Sequence, residues 1–428
     1  MKLLLKGGRV IDPVSGKDES QDLLIMNGRI EKIGTSLSAD ASYEVINLTG
    51  KIIAPGFIDM HVHLREPGFE HKETIETGCM AAAAGGFTAV CCMPNTNPAI
   101  DDESVARYVR EKGKSVCEGI VDVYPIGAAT KGRQGAQLSP MAELAGAGAV
   151  GFSDDGSPIM SAEIMRRALE YSSMYGVPII QHAEDSTLSH GGSINEGYVS
   201  TRLGIPGIPP IAEVLMVERD ITLLRYIPKA RYHVAHISTT GAVDCVRRAK
   251  KEKLSVTCEI TPHHFTLIDE VVESFDTNTK MNPPLRTHSD LEAMKEALRD
   301  GTIDVIATDH APHTVDEKEV EYTLAPFGIV GLETAIGLSI TELVEQKILT
   351  LSQLIEKFST NPRRILSLQP IKIAEGEIAN LTCIDPEQQW TVDVKAFKSK
   401  SKNSPFHGRT LKGRAIGIIN NDRYQFFS

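Results

Sequence analysis

The chain has 428 residues, 41% of them hydrophobic, which is enough for one large domain, a smaller one and a sizeable core. A formal charge of −11, with no basic run interleaved with aromatics, excludes non-specific nucleic-acid binding. No apolar run approaches bilayer-spanning length, Met1 to Lys6 is too short for a signal peptide, and the seven cysteines include no C-x-x-C pair; a cytoplasmic protein with reduced, buried thiols and no membrane partner is expected.

Residues 1–54 hold short alternating stretches, Lys2 to Val10, Asp22 to Ile33 and Tyr43 to Ile53, separated by Asp12-Pro13, Asn27-Gly28 and Thr49-Gly50. Asn-Gly between two apolar runs is a hairpin signal. This predicts a small antiparallel β unit without a helix. Similar sequence returns in Gly376 to Asp385 and in Gly408 to Asn420. Residues 1–54 and 366–428 are therefore expected to form one composite β domain, a small sandwich, around a central domain at 55–365.

The central domain opens on Gly56-Phe-Ile-Asp-Met-His61-Val-His63-Leu-Arg65-Glu-Pro-Gly68. As a strand it has a period of two, which puts His61 and His63 on one face and Met60, Val62 and Leu64 on the other. Proline and glycine then end the strand, so both imidazoles stand where it opens into a loop. Seven more buried-strand candidates follow: Thr88 to Met93, Val121 to Ala128, Ala149 to Ser153, Pro178 to His182, His233 to His236, Leu254 to Ile260 and Asp304 to Thr308. Helical stretches alternate with them. Ser161 can cap a helix carrying Ile164, Ala168 and Tyr171 on one face, and Ser289 with Glu292 makes a capping box for a helix stopped by Gly301. Eight apolar strands alternating with helices predict an α/β protein, a closed (β/α)₈ TIM-like barrel. The competing open doubly wound sheet lacks its G-x-G-x-x-G after the first strand.

Metal-type ligands fall at strand ends: His61 and His63 after the first, Asp154-Asp155 after the fourth, His182 after the fifth, His236 after the sixth and Asp309 after the eighth. Any one of these is ordinary, but five strand ends that agree predict a cluster at the C-terminal mouth of the barrel. Four histidines with two carboxylates suit zinc, and leave room for two metals sharing a carboxylate. Such a metal lowers the pKa of bound water toward about 7.

The motifs His61-Val-His63-Leu-Arg65-Glu-Pro-Gly, Met93-Pro-Asn95-Thr-Asn-Pro, Thr261-Pro-His-His264, Met281-Asn282-Pro-Pro-Leu-Arg286, Ala307-Thr-Asp309-His-Ala-Pro-His313 and Ala325-Pro-Phe327-Gly328 together resemble the class I dihydroorotases of the amidohydrolase superfamily. The resemblance runs from the first β segment to Gly408. It implies a (β/α)₈ barrel with a composite β domain, and zinc-dependent, reversible interconversion of dihydroorotate and N-carbamoyl-L-aspartate in pyrimidine synthesis. It implies that His61, His63 and Asp309 hold a first metal, that His182 and His236 hold a second, and that Asp154 or Asp155 bridges them. Of the two, the resemblance favours Asp155, whose spacing to the His182 motif is similar to that of the family's ligand. Asp309 would shuttle the proton between the attacking hydroxide and the leaving ring nitrogen.

A substrate carboxylate calls for a cation, and Arg65, two residues after His63 and expected on the same strand face, can grip it with two parallel hydrogen bonds. By resemblance His63, Asn95 and His313 adjoin that pocket, while Asn282 and the main chain of Phe327 and Gly328 hold the ring amides. His71, His190, His233, His263, His264, His288 and His407 receive no role. The acidic stretch Thr314 to Leu324 is placed to form a loop over the barrel mouth.

Related hydantoinases and allantoinases usually carry a carbamylated lysine at the fourth strand end, and Gly151 to Gly156 contains none. A silent scaffold for a partner enzyme should have lost ligands, and all are present. The resemblance also implies a homo-oligomer, a dimer, and an association with aspartate carbamoyltransferase that no stretch of the sequence specifies.

Overall fold

The computed structural model describes residues 1–427. Five strands open the chain: β1 (Lys2–Asp12), β2 (Lys17–Met26), β3 (Arg29–Gly34), β4 (Glu44–Asn47) and β5 (Ile52–Pro55). Met26 pairs with Arg29 across the expected hairpin, and Asn27 and Gly28 have φ of 51° and 71°, as a two-residue type I′ turn requires. The unit is mixed and not purely antiparallel, because β4 and β5 both run parallel to β1. At 11 residues β1 is long enough to take two four-residue partners end to end, β4 against Leu3 to Lys6 and β5 against Arg9 and Val10.

The central strands are β6 (Phe57–Val62), β7 (Phe87–Cys92), β8 (Asp122–Pro125), β9 (Gly127–Ala128), β10 (Phe152–Ser153), β11 (Ile179–Gln181), a two-stranded insert of β12 (Ile194–Asn195) and β13 (Gly207–Ile208), then β14 (Tyr232–Val234), β15 (Val256–Ile260) and β16 (Val305–Ile306). β6, β7 and β8 pair in parallel, as do β9, β10, β11, β14, β15 and β16. Ile126 joins the two arcs, since β8 and β9 are one strand interrupted at that residue, and a parallel bridge from Val62 to His310 closes the ring. Eight strand positions with helices between them make the closed barrel.

Alternation along the strands sorts the core into two layers. Ala89, Cys91, Ile180, Val305 and Ala307 belong to a cluster inside the barrel, while Val90, Cys92, Ile179 and Ile306 pack outward with the helices. β6 departs from the expected period. Its ladder is irregular between Asp59 and Val62, so Met60 joins the inner cluster whereas Val62 and Leu64 join the outer one. Among the helices, Ser161 caps Ala162–Ser173 through the Ile164 N–H, but the buried stripe is Met165, Ala168, Leu169 and Ser172, with Ile164 and Tyr171 at its margins. The later capping box is displaced: Thr287, not Ser289, caps His288–Arg299 by accepting from Asp290 N–H. Thr287 takes the role because its backbone is extended at ψ 165°, which aims its hydroxyl at the first turn.

The chain ends in β17 (Leu381–Thr391), β18 (Thr410–Asn420) and β19 (Arg423–Phe426), and β17 pairs antiparallel with β5. One eight-stranded sheet thus takes strands from both ends of the chain, over a core that includes Leu5, Val10, Leu23, Ile53, Leu381 and Ile419. It meets the barrel at Gly56, whose N–H donates to Asn380 O; a Cβ there would lie 1.7 Å from Asn380 Oδ1, so only glycine fits.

Candidate active site

β6 ends by delivering His61 and His63 to the barrel mouth. Asp59, fully buried beneath them, accepts from His61 N–H at 3.0 Å and from Thr308 N–H at 3.1 Å, which ties the first strand end to the segment before Asp309. His61 Nδ1 lies 2.6 Å from Glu259 Oε1, and the other Glu259 oxygen lies 3.2 Å from His233 Nε2. That carboxylate leaves Nε2 as the free face of His61, 3.4 Å from Asp155 Oδ1 and 3.5 Å from Asp309 Oδ1. Asn95 Oδ1 does the same for His63, 2.7 Å from its Nδ1, while His63 Nε2 faces Asp309 at 2.9 Å.

The two aspartates after β10 part company. Asp154 turns away, where it accepts from the Thr130 N–H at 2.9 Å and from the Thr130 hydroxyl. Asp155 turns in, with Oδ1 3.5 Å from His236 Nε2 and 3.9 Å from His182 Nδ1, and Oδ2 3.5 Å from His63 Nε2. His182 Nδ1 and His236 Nε2 are 3.0 Å apart. His61, Asp155 and His236 form one set whose ligand atoms lie within 4.8 Å of one another, and His61, His63 and Asp309 form another. His182 stands beside the first set, not within it.

Burial opposes protonation of His61, yet the carboxylates of Asp155, Asp309 and Glu259 outweigh it and raise its pKa, so the field at Nε2 favours a cation. Burial would also push Asp155 and Asp309 up, but the imidazoles, His61 foremost, hold both well below the usual carboxylate range. His63 is lowered by burial and stays neutral. His61 Nε2, Asp155 Oδ1 and His236 Nδ1 are buried without a hydrogen-bond partner. Anionic carboxylates, imidazole lone pairs and orphaned buried atoms converging on one point fit a bound divalent metal.

Above this cluster is a cavity of ≈ 330 Å³ lined by His63, Arg65, Asn95, Asp155, His182, His236, Asn282, Asp309, His313, Phe327 and Gly328, among others. Arg65 reaches it by a different route from the one expected. β6 ends at Val62, and Arg65 follows in a left-handed turn with φ 62°, not on a shared strand face. His236 and Asp309 also have positive φ, 32° and 48°. Three non-glycine residues in this strained region gather at one cavity, where backbone strain commonly marks function. Arg65 is half-buried, and desolvation lowers its pKa to about 10 and leaves it cationic; its polar partners are Pro312 O at 3.1 Å and His313 Nε2 at 3.4 Å. The main chain of Phe327 and Gly328 is already partly engaged: Phe327 O lies 2.9 Å from His313 Nε2, Gly328 N–H donates to Lys280 O, and Gly328 O accepts from Asn403. A ligand there can use the Phe327 N–H, which makes no hydrogen bond among the described residues, and the second lone pairs of these carbonyls.

The family model described as Dihydro-orotase-like matches residues 50–242. A dihydroorotase of Pelotomaculum thermopropionicum is 54% identical over 96% of both chains, and one of Pelobacter propionicus is 50% identical over 98% of both. The chain belongs to the dihydroorotase family. Like its relatives it is a metal-dependent hydrolase of cyclic amides, and it carries their α/β barrel with a composite β domain. The same fold occurs in the L-hydantoinase of Arthrobacter aurescens, with a TM-score of 0.88 at 23% identity over 100% of this chain and 97% of that one.

Other features of this dihydroorotase-family chain were not read from its sequence. Glu259 and His233 had no role, although a carboxylate inside the buried run Val-Thr-Cys-Glu-Ile was a visible signal. Arg286 of the Asn-Pro-Pro-Leu-Arg motif is structural, donating to Asn195 Oδ1 at 2.9 Å and Ile208 O at 3.0 Å to seat the β12–β13 insert. The stretch Thr314 to Leu324 is no plain solvated loop: it starts with a four-residue helix, Val315–Lys318, and buries Lys318 and Tyr322. The cysteines are free, and all but Cys117 are buried. Among the described residues no helix is long and apolar enough to cross a membrane.

Proposed function

We propose that this chain interconverts (S)-dihydroorotate and N-carbamoyl-L-aspartate at the cavity above the His61–Asp309 cluster. The observation that carries the reading is Arg65: a half-buried guanidinium in the same cavity as the ligand cluster, set against a carbonyl and an imidazole and not against a carboxylate. A site that keeps such a cation partly desolvated suits a substrate that brings its own carboxylate. Asn95 and His313 complete that pocket. Asn282 Oδ1 is a buried acceptor without a partner, aimed to receive a ring N–H.

Zinc, one or two ions per subunit, is the metal we assign, held by His61, His63, Asp155, His182, His236 and Asp309. When bound it supplies Lewis acidity and lowers the pKa of water. Asp309 is the proton carrier. Both carboxylates line the cavity, but the Asp309 side chain is 11% exposed against 3% for Asp155 and is the more accessible of the two. Held 2.9 Å from His63 Nε2 and ionised, it accepts a proton from the attacking water and returns it to the leaving ring nitrogen. Arg65 meanwhile fixes the substrate carboxylate, so that the scissile amide is presented to the cluster in one orientation.

On this reading residues 55–365 carry the chemistry, and 1–54 with 366–428 form the supporting β domain. A cytoplasmic homodimer, able to associate with aspartate carbamoyltransferase, completes the proposal. The test is turnover of dihydroorotate by zinc-loaded protein beside hydantoin and allantoin, with a chelated control. Turnover of dihydroorotate alone, lost on chelation, is expected; preference for hydantoin or allantoin would replace the reading with that of another cyclic amidohydrolase.

A further inference from the structure

We propose that Lys280 and Lys318 form a reciprocal clasp that positions the Pro326-Phe327-Gly328 edge of the cavity for substrate; this rests on the dihydroorotate reading above. Lys318 lies in the short helix after His313 and is 4% exposed. Its ammonium donates to Pro326 O at 2.8 Å, Thr277 O at 3.0 Å and Lys280 O at 3.4 Å. An ammonium has three N–H donors, and each has an acceptor here. Lys280 O is also the acceptor for Gly328 N–H, at 2.9 Å. Lys318 therefore grips the same peptide oxygen that holds Gly328 in place.

Lys280 returns the grip from the opposite segment. Its ammonium donates to Thr323 O at 2.8 Å and stands 4.7 Å from the centroid of the Phe327 ring, a cation–π contact. The Thr277 hydroxyl adds a bond to Lys318 O at 2.5 Å. Two side chains thus cross-link three segments, 277–280, 318–323 and 326–328. The last of these presents Phe327 O to His313, which in turn touches Arg65.

The arrangement is costly for a purely structural one. Desolvating an ammonium is unfavourable unless strong partners compensate, and neither lysine has a carboxylate within ion-pair distance among the described residues. Burial pushes Lys318 down to about 7. An apolar side chain would fill the volume without this penalty, but would leave the three carbonyl segments untied. The edge they hold has no slack, because Gly328 has φ 127° and a Cβ there would lie 2.7 Å from Ala311 Cβ.

The experiment compares zinc-loaded, full-length Lys318→Met, Lys318→Arg and Lys280→Met with the unaltered protein. Lys318→Met should raise KM for dihydroorotate about tenfold while kcat stays within about threefold. Its metal content should not change, and amides of residues 314–328 should exchange faster in the ligand-free protein. Lys280→Met should move KM and exchange in the same direction, and Lys318→Arg, which keeps a cationic donor, should recover part of KM. Unchanged KM and exchange in both methionine variants would overturn the clasp. So would a joint loss of kcat, KM and metal, which marks a general structural role. If the unaltered protein does not turn over dihydroorotate, the substrate reading fails and amide exchange decides the clasp alone: faster exchange confined to 314–328 supports it, and unchanged exchange overturns it.

Discussion

Glu259 Oε1 lies 2.6 Å from His61 Nδ1, so the ring nitrogen of His61 that faces away from Asp155 and Asp309 is committed and its Nε2 lone pair points into the ligand cluster. The carboxylate sets both the tautomer and the basicity of the ligand. Glu259→Gln keeps a hydrogen-bond acceptor but loses the charge, and should weaken metal binding by about tenfold to a hundredfold with the fold retained. Competition against a graded chelator, read as metal per subunit, checks it; unaltered affinity would mean that His61 needs no such orienting partner.

Arg65→Ala should raise KM for dihydroorotate by about a hundredfold, as expected for loss of a charge-assisted pair in a desolvated pocket, with metal content unchanged. A competitive inhibitor that carries the carboxylate should weaken in step, whereas a ring analogue without it should bind both proteins alike; inhibition kinetics with the two separate a carboxylate clamp from a residue that merely shapes the cavity.

Asp309→Asn is nearly isosteric yet cannot carry a proton. It should lower kcat by about 10²–10⁴, the range for general acid–base catalysis. If Asp309 is a ligand only, activity should follow metal occupancy, and reloading with excess zinc should restore it.

Removing the metal leaves Asp155, Asp309 and Glu259 buried together, with only imidazoles to oppose them. Because a metal binds the folded state alone, chelation should lower the melting midpoint by roughly 5 °C or more. Calorimetry before and after zinc is returned tests this, and a reversible shift is the expected result.

At the junction of barrel and β domain, burial pushes Glu333 up to about 7, against backbone N–H bonds from Lys398 and Ser399 that pull the other way. The folded state then holds a proton that the unfolded chain releases nearer the ordinary glutamate value. A raised carboxyl pKa contributes stability that is fully present below the unfolded pKa and is lost as pH rises through the folded value of about 7. Stability should therefore fall between about pH 4.5 and 7 by an amount that Glu333→Gln removes. Melting midpoints of both proteins across that range decide it; parallel curves would exclude Glu333 as the source.

Much of this was written in local pattern. Eight apolar runs, the Asn27-Gly28 turn and ligand-type residues at successive strand ends follow from short-range physics, because period and turn chemistry are properties of neighbouring residues. The paired histidines of β6 and the lysine-free end of β10 were legible for the same reason, and so was the bond between the two chain ends through similar β sequence.

What the chain kept hidden depends on residues far apart in sequence. Asp154 and Asp155 are chemically identical neighbours; only the position of Thr130 draws one away and leaves the other facing four imidazoles. The bulge in β6 comes from its pairing with β7, and the left-handed turn that aims Arg65 comes after the strand has ended. Glu259 acquires its task only when barrel closure brings it 198 residues back to His61, and Lys318 acquires its three carbonyls only when segments 277–280 and 326–328 fold against it. The sequence by itself determined which groups could do chemistry. Long-range packing decided which of them converge, since a buried polar group is held by whatever partner the tertiary fold brings to it.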